Sequence, residues 1–261
     1  MLTIHPTAVV SPKANLAEDV VVGPYAVIDG SVTIGAGTNI GPAVHIFNSV
    51  TIGAGCKIYS GAVIGNPPQD LKYNGEPTTV IIGENNVIRE YVTINLATGE
   101  GNATVIGNNN LLMAYVHIAH NCVVGDNCII ANAATVAGHV VIEDYAIIGG
   151  LVGIHQFSRV GKHSITGGCS KITMDIVPFV SADGHPARPY GINTIGLKRR
   201  NIPQETIETL ERAYRVLFRG KLNTSGALAI LEGPEFCHCP EVKEIVRFVK
   251  TAERGIARER D

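Results

Sequence analysis

The chain has no tryptophan, and across its 261 residues only 5% are aromatic and only 17% charged. So few large rings argue against a conventional globule, whose core leans on them. No apolar run approaches the roughly 18 residues that a membrane-crossing helix needs, which excludes a helical span from the expected architecture. A net charge of −2 offers no global attraction for nucleic acid or an anionic membrane surface. The opening residues, Met1-Leu-Thr-Ile-His-Pro6, lack the basic stretch and apolar core of an export signal, so a cytoplasmic protein is expected. Cysteine is sparse at six. Cys56, Cys122 and Cys128 fall at small inward positions of the repeat described next and are expected to be reduced core residues.

What the chain does have is glycine, 29 of them, and a strict period. Stepping by six from Ile4 to Ile172 gives 29 stops, of which 25 are Ile, Val or Leu; the exceptions are Asp70, Glu76, Glu100 and Thr166. Neither a helix of period 3.6 nor an alternating strand produces a six, whereas a parallel β-helix does, with one short strand and a turn per hexad. The fourth residue after a stop is usually small or β-branched, as at Ala26, Val44, Cys56 and Ala62, which suits the inside of a narrow coil. Gly follows many stops (Gly23, Gly35, Gly53, Gly107, Gly125), and an unusual φ at the corner is the expected reason. Three hexads make a coil, so residues 18 apart stack about 4.8 Å from one another.

Two segments interrupt the hexads, near 66–80 and 95–105, and both keep the six-residue phase, so the sequence leaves open whether they replace strands or bulge out as extra chain. Long loops on a solenoid are usually functional, because coils need only tight corners. After Ile172 the period stops at Val177-Pro178, and a connector rich in Pro and Gly follows. Pro203 then suits a first helical turn, and Ile207, Leu210, Tyr214, Leu217 and Phe218 form an apolar stripe. Thr224–Leu231 and Glu241–Glu253 read as two more helices. The expected organisation is a parallel β-helix over 1–190 and a small α-helical domain over 191–261.

Histidine placement carries the chemical information. On an eighteen-residue coil His120, His139 and His155 fall within two positions of one register, and Gln156 lies in register above His120. Solenoid corners expose polar residues in any case, but a column of three imidazoles beside a long polar loop is a candidate site.

Certain words in the chain are more specific than the period. In order they are Gln69-Asp-Leu-Lys-Tyr73, Gly75-Glu-Pro-Thr78, Asn110-Leu-Leu-Met113, His117-Ile-Ala-His120, Ala137-Gly-His139, His155-Gln-Phe157, Gly167-Gly-Cys169 and Gly196-Leu-Lys-Arg-Arg200. Along its whole length the chain resembles the hexapeptide-repeat UDP-N-acetylglucosamine O-acyltransferases that begin lipid A synthesis. That resemblance, and not the period, implies a left-handed coil, since crossover chirality in general favours the right hand. It implies transfer of an (R)-3-hydroxyacyl chain from acyl carrier protein to the sugar 3-hydroxyl, with no cofactor and no metal. It also implies a homotrimer with active sites between subunits.

By motif match, His120 is then the general base and the backbone N–H of Gly138 the oxyanion donor. Asp70, Lys72, His117, His139, His155 and Gln156 match substrate-binding positions, and Asn193 and Arg199 match the uridine and phosphate end. Gly168 matches the position that sets acyl length, where a missing side chain leaves room for roughly C12 to C14 rather than C10. Arg212, Arg215 and Arg219 on one helix face, preceded by Lys198, Arg199 and Arg200, would dock an acidic carrier protein. The chain departs from the family in two places: Asn121 stands where Asp usually follows the catalytic His, and Asn95-Leu-Ala-Thr98 stands where a basic residue and Gly are common. The first departure keeps open an N-acyltransferase acting on a UDP-3-amino sugar, or a low-activity scaffold paralogue. A zinc enzyme of the carbonic anhydrase type, using the same histidines, is the rival from another class.

Overall fold

The computed structural model describes residues 1–220 and 222–259. From Thr3 to Ile172 the chain makes strands of two to four residues, each followed by a corner. Strands one coil apart pair in parallel, Val21–Val22 lying between Thr3–Ile4 and Asn39–Ile40. The result is three sheets of eleven, nine and eight strands, parallel throughout the coil, the faces of a left-handed parallel β-helix. Aliphatic stops such as Ile40, Ile64, Ile94 and Ile118 are fully buried, packed with small partners such as Ala26, Val44 and Ala62. Truncating one such Ile to Ala would cost about 2–5 kcal/mol. Two small inward positions hold Asn instead: Asn86 Oδ1 accepts from Asn110 N at 2.9 Å, and Asn110 Oδ1 accepts from Cys128 N at 2.6 Å.

The corners correct one expectation. Left-handed backbone falls on the third residue after most stops, at Tyr25, Tyr91, Asn121, His139 and Phe157 among others, and mostly not on glycine. The glycines directly after the stops serve close approach instead. A Cβ on Gly53 would lie 2.6 Å from Gly83 C, and one on Gly107 2.6 Å from Gly125 O, so at these corners the coils approach too closely for a side chain.

Register settles the two breaks. Val50 pairs with Val80, thirty residues on instead of eighteen, so residues 67–78 are twelve residues of extra chain. Val80 pairs with Thr104, twenty-four on, so the second break adds six, spanning 96–102. Both loops leave the nine-stranded face and re-enter on the eight-stranded face, one coil above the other.

At the far end the Pro- and Gly-rich connector forms an antiparallel hairpin, Val180–Gly184 with Ala187–Ile192, that extends the eleven-stranded sheet. Strand structure thus runs two residues past 190. Helices α1 (Thr194–Arg199), α2 (Gln204–Tyr214), α3 (Thr224–Leu231) and α4 (Pro240–Lys250) follow, with a π-helical turn at Arg215–Arg219. Arg159 ties α4 to the coil, lying 3.9 Å from the centre of the Phe248 ring and donating to Thr251 O at 3.1 Å. No helix among the described residues is long and apolar enough to cross a membrane.

Candidate active site

One edge of the prism collects the chemistry. Moving up it by coils, the edge carries the first loop, the second loop, then His120-Asn121, Gly138-His139 and Gln156-Phe157. The backbone ladder fixes this stacking: His139 N donates to His120 O at 3.0 Å, and Phe157 N to Gly138 O at 3.2 Å.

His120 stands at the centre, its side chain 14% exposed. Its Nδ1 lies 2.9 Å from Asn121 Oδ1. A side-chain amide oxygen can only accept, so Nδ1 carries a proton, and in the neutral ring that leaves the lone pair on Nε2. That lone pair faces Asp70 of the first loop, whose Oδ2 lies 3.9 Å away and whose Oδ1 accepts from Lys72 N at 3.0 Å. His139 meets His120 edge-on, with ring centres 5.1 Å apart, and stacks on Phe157 at 4.7 Å. His117 bonds to Thr93 Oγ1 at 2.7 Å. Burial first, and then the neighbouring His120, hold the pKa values of both His117 and His139 below the ordinary histidine value, which favours uncharged rings around the base.

Gly138 is buried against that base. A Cβ there would lie 2.5 Å from both Cε1 and Nε2 of His120, so only glycine admits the ring. Its N–H has no hydrogen-bond partner among the described residues.

Other expected site residues lie further off. Lys72, His155 and Gln156 are exposed around the same edge. Asn193 and Arg199 are on α1, which packs at a different edge. There Asn193 donates to His163 O at 2.8 Å and caps the helix by accepting from Gly196 N at 3.1 Å, so both ends of its amide are engaged by the protein. Gly168 sits on the third edge with an ordinary φ, and a Cβ there would meet only Gly150 O, at 3.3 Å. The basic stripe carries less free charge than its sequence implies. Arg212 pairs with Glu235 and Arg219 with Glu259, while Arg200 covers the Tyr145 ring at 4.2 Å. Among the described residues no three His, Cys, Asp or Glu side chains gather in a metal-holding group.

Sequence reasoning missed two contributors. Thr98 of the second loop bonds the Asn121 amide from both sides, and Glu76 of the first loop accepts from Gly99 N at 2.8 Å. The one available signal for Glu76 was a carboxylate at a stop where an aliphatic residue belongs.

Fold and edge together define an acyltransferase of the hexapeptide-repeat class. A family model described as bacterial transferase hexapeptide matches residues 103–138, and one for domain 2 of UDP-N-acetylglucosamine O-acyltransferase matches 175–257. An acyl-[acyl-carrier-protein]–UDP-N-acetylglucosamine O-acyltransferase of Thiobacillus denitrificans is 49% identical, with 99% of this chain and 100% of the relative covered. The crystal structure of a UDP-N-acetylglucosamine acyltransferase from Bacteroides fragilis is 43% identical with a TM-score of 0.94, covering 98% of this chain and 100% of that one. That from Acinetobacter baumannii gives 41% and 0.95, over 98% and 99%. The chain belongs to the family of acyl-[acyl-carrier-protein]–UDP-N-acetylglucosamine O-acyltransferases.

Proposed function

We propose that this enzyme moves an (R)-3-hydroxyacyl group from acyl carrier protein to the 3-hydroxyl of UDP-N-acetylglucosamine, the first step of lipid A synthesis, in the cytoplasm. The observation that carries the chemistry is the Nδ1 bond of His120 to Asn121 Oδ1, which in the neutral ring leaves Nε2 as the base, together with the unpaired N–H of Gly138, a residue packed against that ring. Nε2 removes the proton of the sugar hydroxyl as its oxygen attacks the thioester carbonyl. The Gly138 N–H receives the resulting oxyanion. Collapse breaks the C–S bond, and the imidazolium returns its proton to the departing thiolate. No metal or cofactor enters these steps.

Asp70 and Lys72 approach from the first loop as sugar contacts, with His117 and His139 as neutral hydrogen-bonding partners. His155 and Gln156 extend the site upward toward the sugar nucleotide and the pantetheine arm. Asn193 and Arg199 lie away from His120 within one protomer, and this separation supports a homotrimer in which a neighbouring copy brings α1 to the nucleotide end. Exposed Lys198, Arg199 and Arg215 supply the basic surface for an acidic carrier protein. Gly168 leaves the groove open for a long chain.

The test is acyl transfer from 3-hydroxyacyl carrier proteins of several lengths to UDP-N-acetylglucosamine and its 3-amino analogue, with wild type and His120→Ala in parallel. O-acylation that falls roughly 10²- to 10⁴-fold in His120→Ala is the expected outcome. Transfer to the amine alone, or an active His120→Ala, overturns this reading.

A further inference from the structure

Where Asp follows the catalytic His, either carboxylate oxygen can accept from Nδ1 and the tautomer is fixed by chemistry alone. Asn121 has no such symmetry. If its amide turned over, NH₂ would face Nδ1, the ring proton would move to Nε2, and the base would be lost. Something must therefore hold the amide one way round.

The second loop does so. Thr98 N donates to Asn121 Oδ1 at 2.9 Å and Thr98 Oγ1 reaches the same oxygen at 3.0 Å, while Asn121 Nδ2 donates to Thr98 O at 3.0 Å. A backbone donor against the oxygen and a backbone acceptor against the nitrogen permit one orientation only. The backbone N of Asn121 is fixed as well, donating to Thr104 Oγ1 at 2.9 Å. Thr98 is itself held from the first loop. Glu76 accepts from Gly99 N through Oε1 at 2.8 Å and from Asn74 N through Oε2 at 2.9 Å, so its carboxylate bridges the two loops. Asn102 Nδ2 donates to Thr98 O at 2.8 Å, and Gly101 N to Pro77 O at 2.9 Å.

We infer that Glu76 and Thr98 are positioning residues which, through Asn121, set which nitrogen of His120 carries the proton. The two loops thus have a task beyond substrate contact: they replace the symmetry that an Asp would have supplied. The inference rests on His120 being the general base.

Glu76→Gln tests it, because one end of the new amide opposes a backbone N–H that the carboxylate had accepted. An amide left free to take either orientation costs only about twofold, since half the population keeps the right tautomer. A base displaced by about 1 Å costs up to ~10²-fold. The expected loss in kcat lies between them, about tenfold. The same substitution is made in an Asn121→Asp background, where no clamp is needed and the loss should shrink below about threefold. The imidazole ¹⁵N shifts of His120, assigned by their absence in His120→Asn, report the tautomer directly. Wild type should show Nδ1–H, and Glu76→Gln a second form. Equal losses in both backgrounds, or a His120 tautomer unmoved by Glu76→Gln, would overturn the inference and leave the loops a purely structural role. An active His120→Ala would instead remove the base reading, and this inference with it.

Discussion

Gly138→Ala forces the base and the oxyanion donor apart. The added Cβ would lie 2.5 Å from Cε1 and Nε2 of His120, where ordinary contact begins at 3.4 Å, so ring and corner must separate by about 0.9 Å. The ring cannot simply swing aside, because its Nδ1 is bonded to the clamped Asn121. The backbone, in contrast, tolerates alanine. Gly138 has no positive φ, and Gly→Ala at a compatible site tends to stabilise by about 0.4–1 kcal/mol. Displacing a reacting group by about 1 Å costs on the order of 10²-fold, or about 2.7 kcal/mol of barrier. The expected variant therefore melts like the parent and turns over roughly a hundredfold more slowly at saturating substrates. Gly150→Ala is the folding control. It occupies the same hexad slot on another edge, and its Cβ would meet only Asn132 O, at 3.3 Å. If Gly138→Ala keeps its melting temperature and its kcat stays within threefold of wild type, His120 does not act from this position.

Gly168→Met should leave the fold intact, since its Cβ meets a single atom, Gly150 O at 3.3 Å, which has to give by a few tenths of an ångström, and should shift the preferred donor toward shorter chains by about 0.8 kcal/mol per methylene excluded; an unchanged profile in a chain-length competition refutes its role as the end of the groove. His163, stacked between Tyr145 and Phe179, is pushed down to about 4 by burial, with Lys162 and Arg200 adding to the shift. The unfolded chain binds this proton near pH 6.5 and the native one does not, so stability is complete above that pH and falls by about 3 kcal/mol on the way to about pH 4. Melting curves across that window should flatten in His163→Phe, and an identical acid slope would assign the loss elsewhere. A thiol reagent should label the exposed Cys169 and Cys237 quickly and spare Cys122 and Cys128, whose pKa values burial raises to about 12; mass mapping of the native protein checks this.

The coil could be read residue by residue because its physics is local: each hexad must present one large and one small apolar side chain inward, and the chain writes this at nearly every stop. The same simplicity hid what matters most. Both loops add multiples of six, so the hydrophobic phase is the same before and after them, and no periodic argument distinguishes inserted chain from replaced strand. Only the pairing of Val50 with Val80, and of Val80 with Thr104, does so. The pairing of His120 with His139 was legible because both follow the second loop, where eighteen residues again make a coil, although the ring that continues the stack is Phe157 and not His155. Across the loops the arithmetic fails: Tyr91 stacks on Tyr115 twenty-four residues away, and Thr98 meets Asn121 at twenty-three. For the same reason the sequence left Asn121 open between an amine acceptor and a low-activity paralogue. An amide oxygen accepts from Nδ1 as a carboxylate oxygen would, but it brings no charge to stabilise the imidazolium and has to be held one way round. The holding group sits on a loop whose position the sequence does not fix. The departure from the family at Asn121 and the chain's own second loop therefore have to be interpreted together, since the loop supplies the orientation that the lost charge would have made automatic.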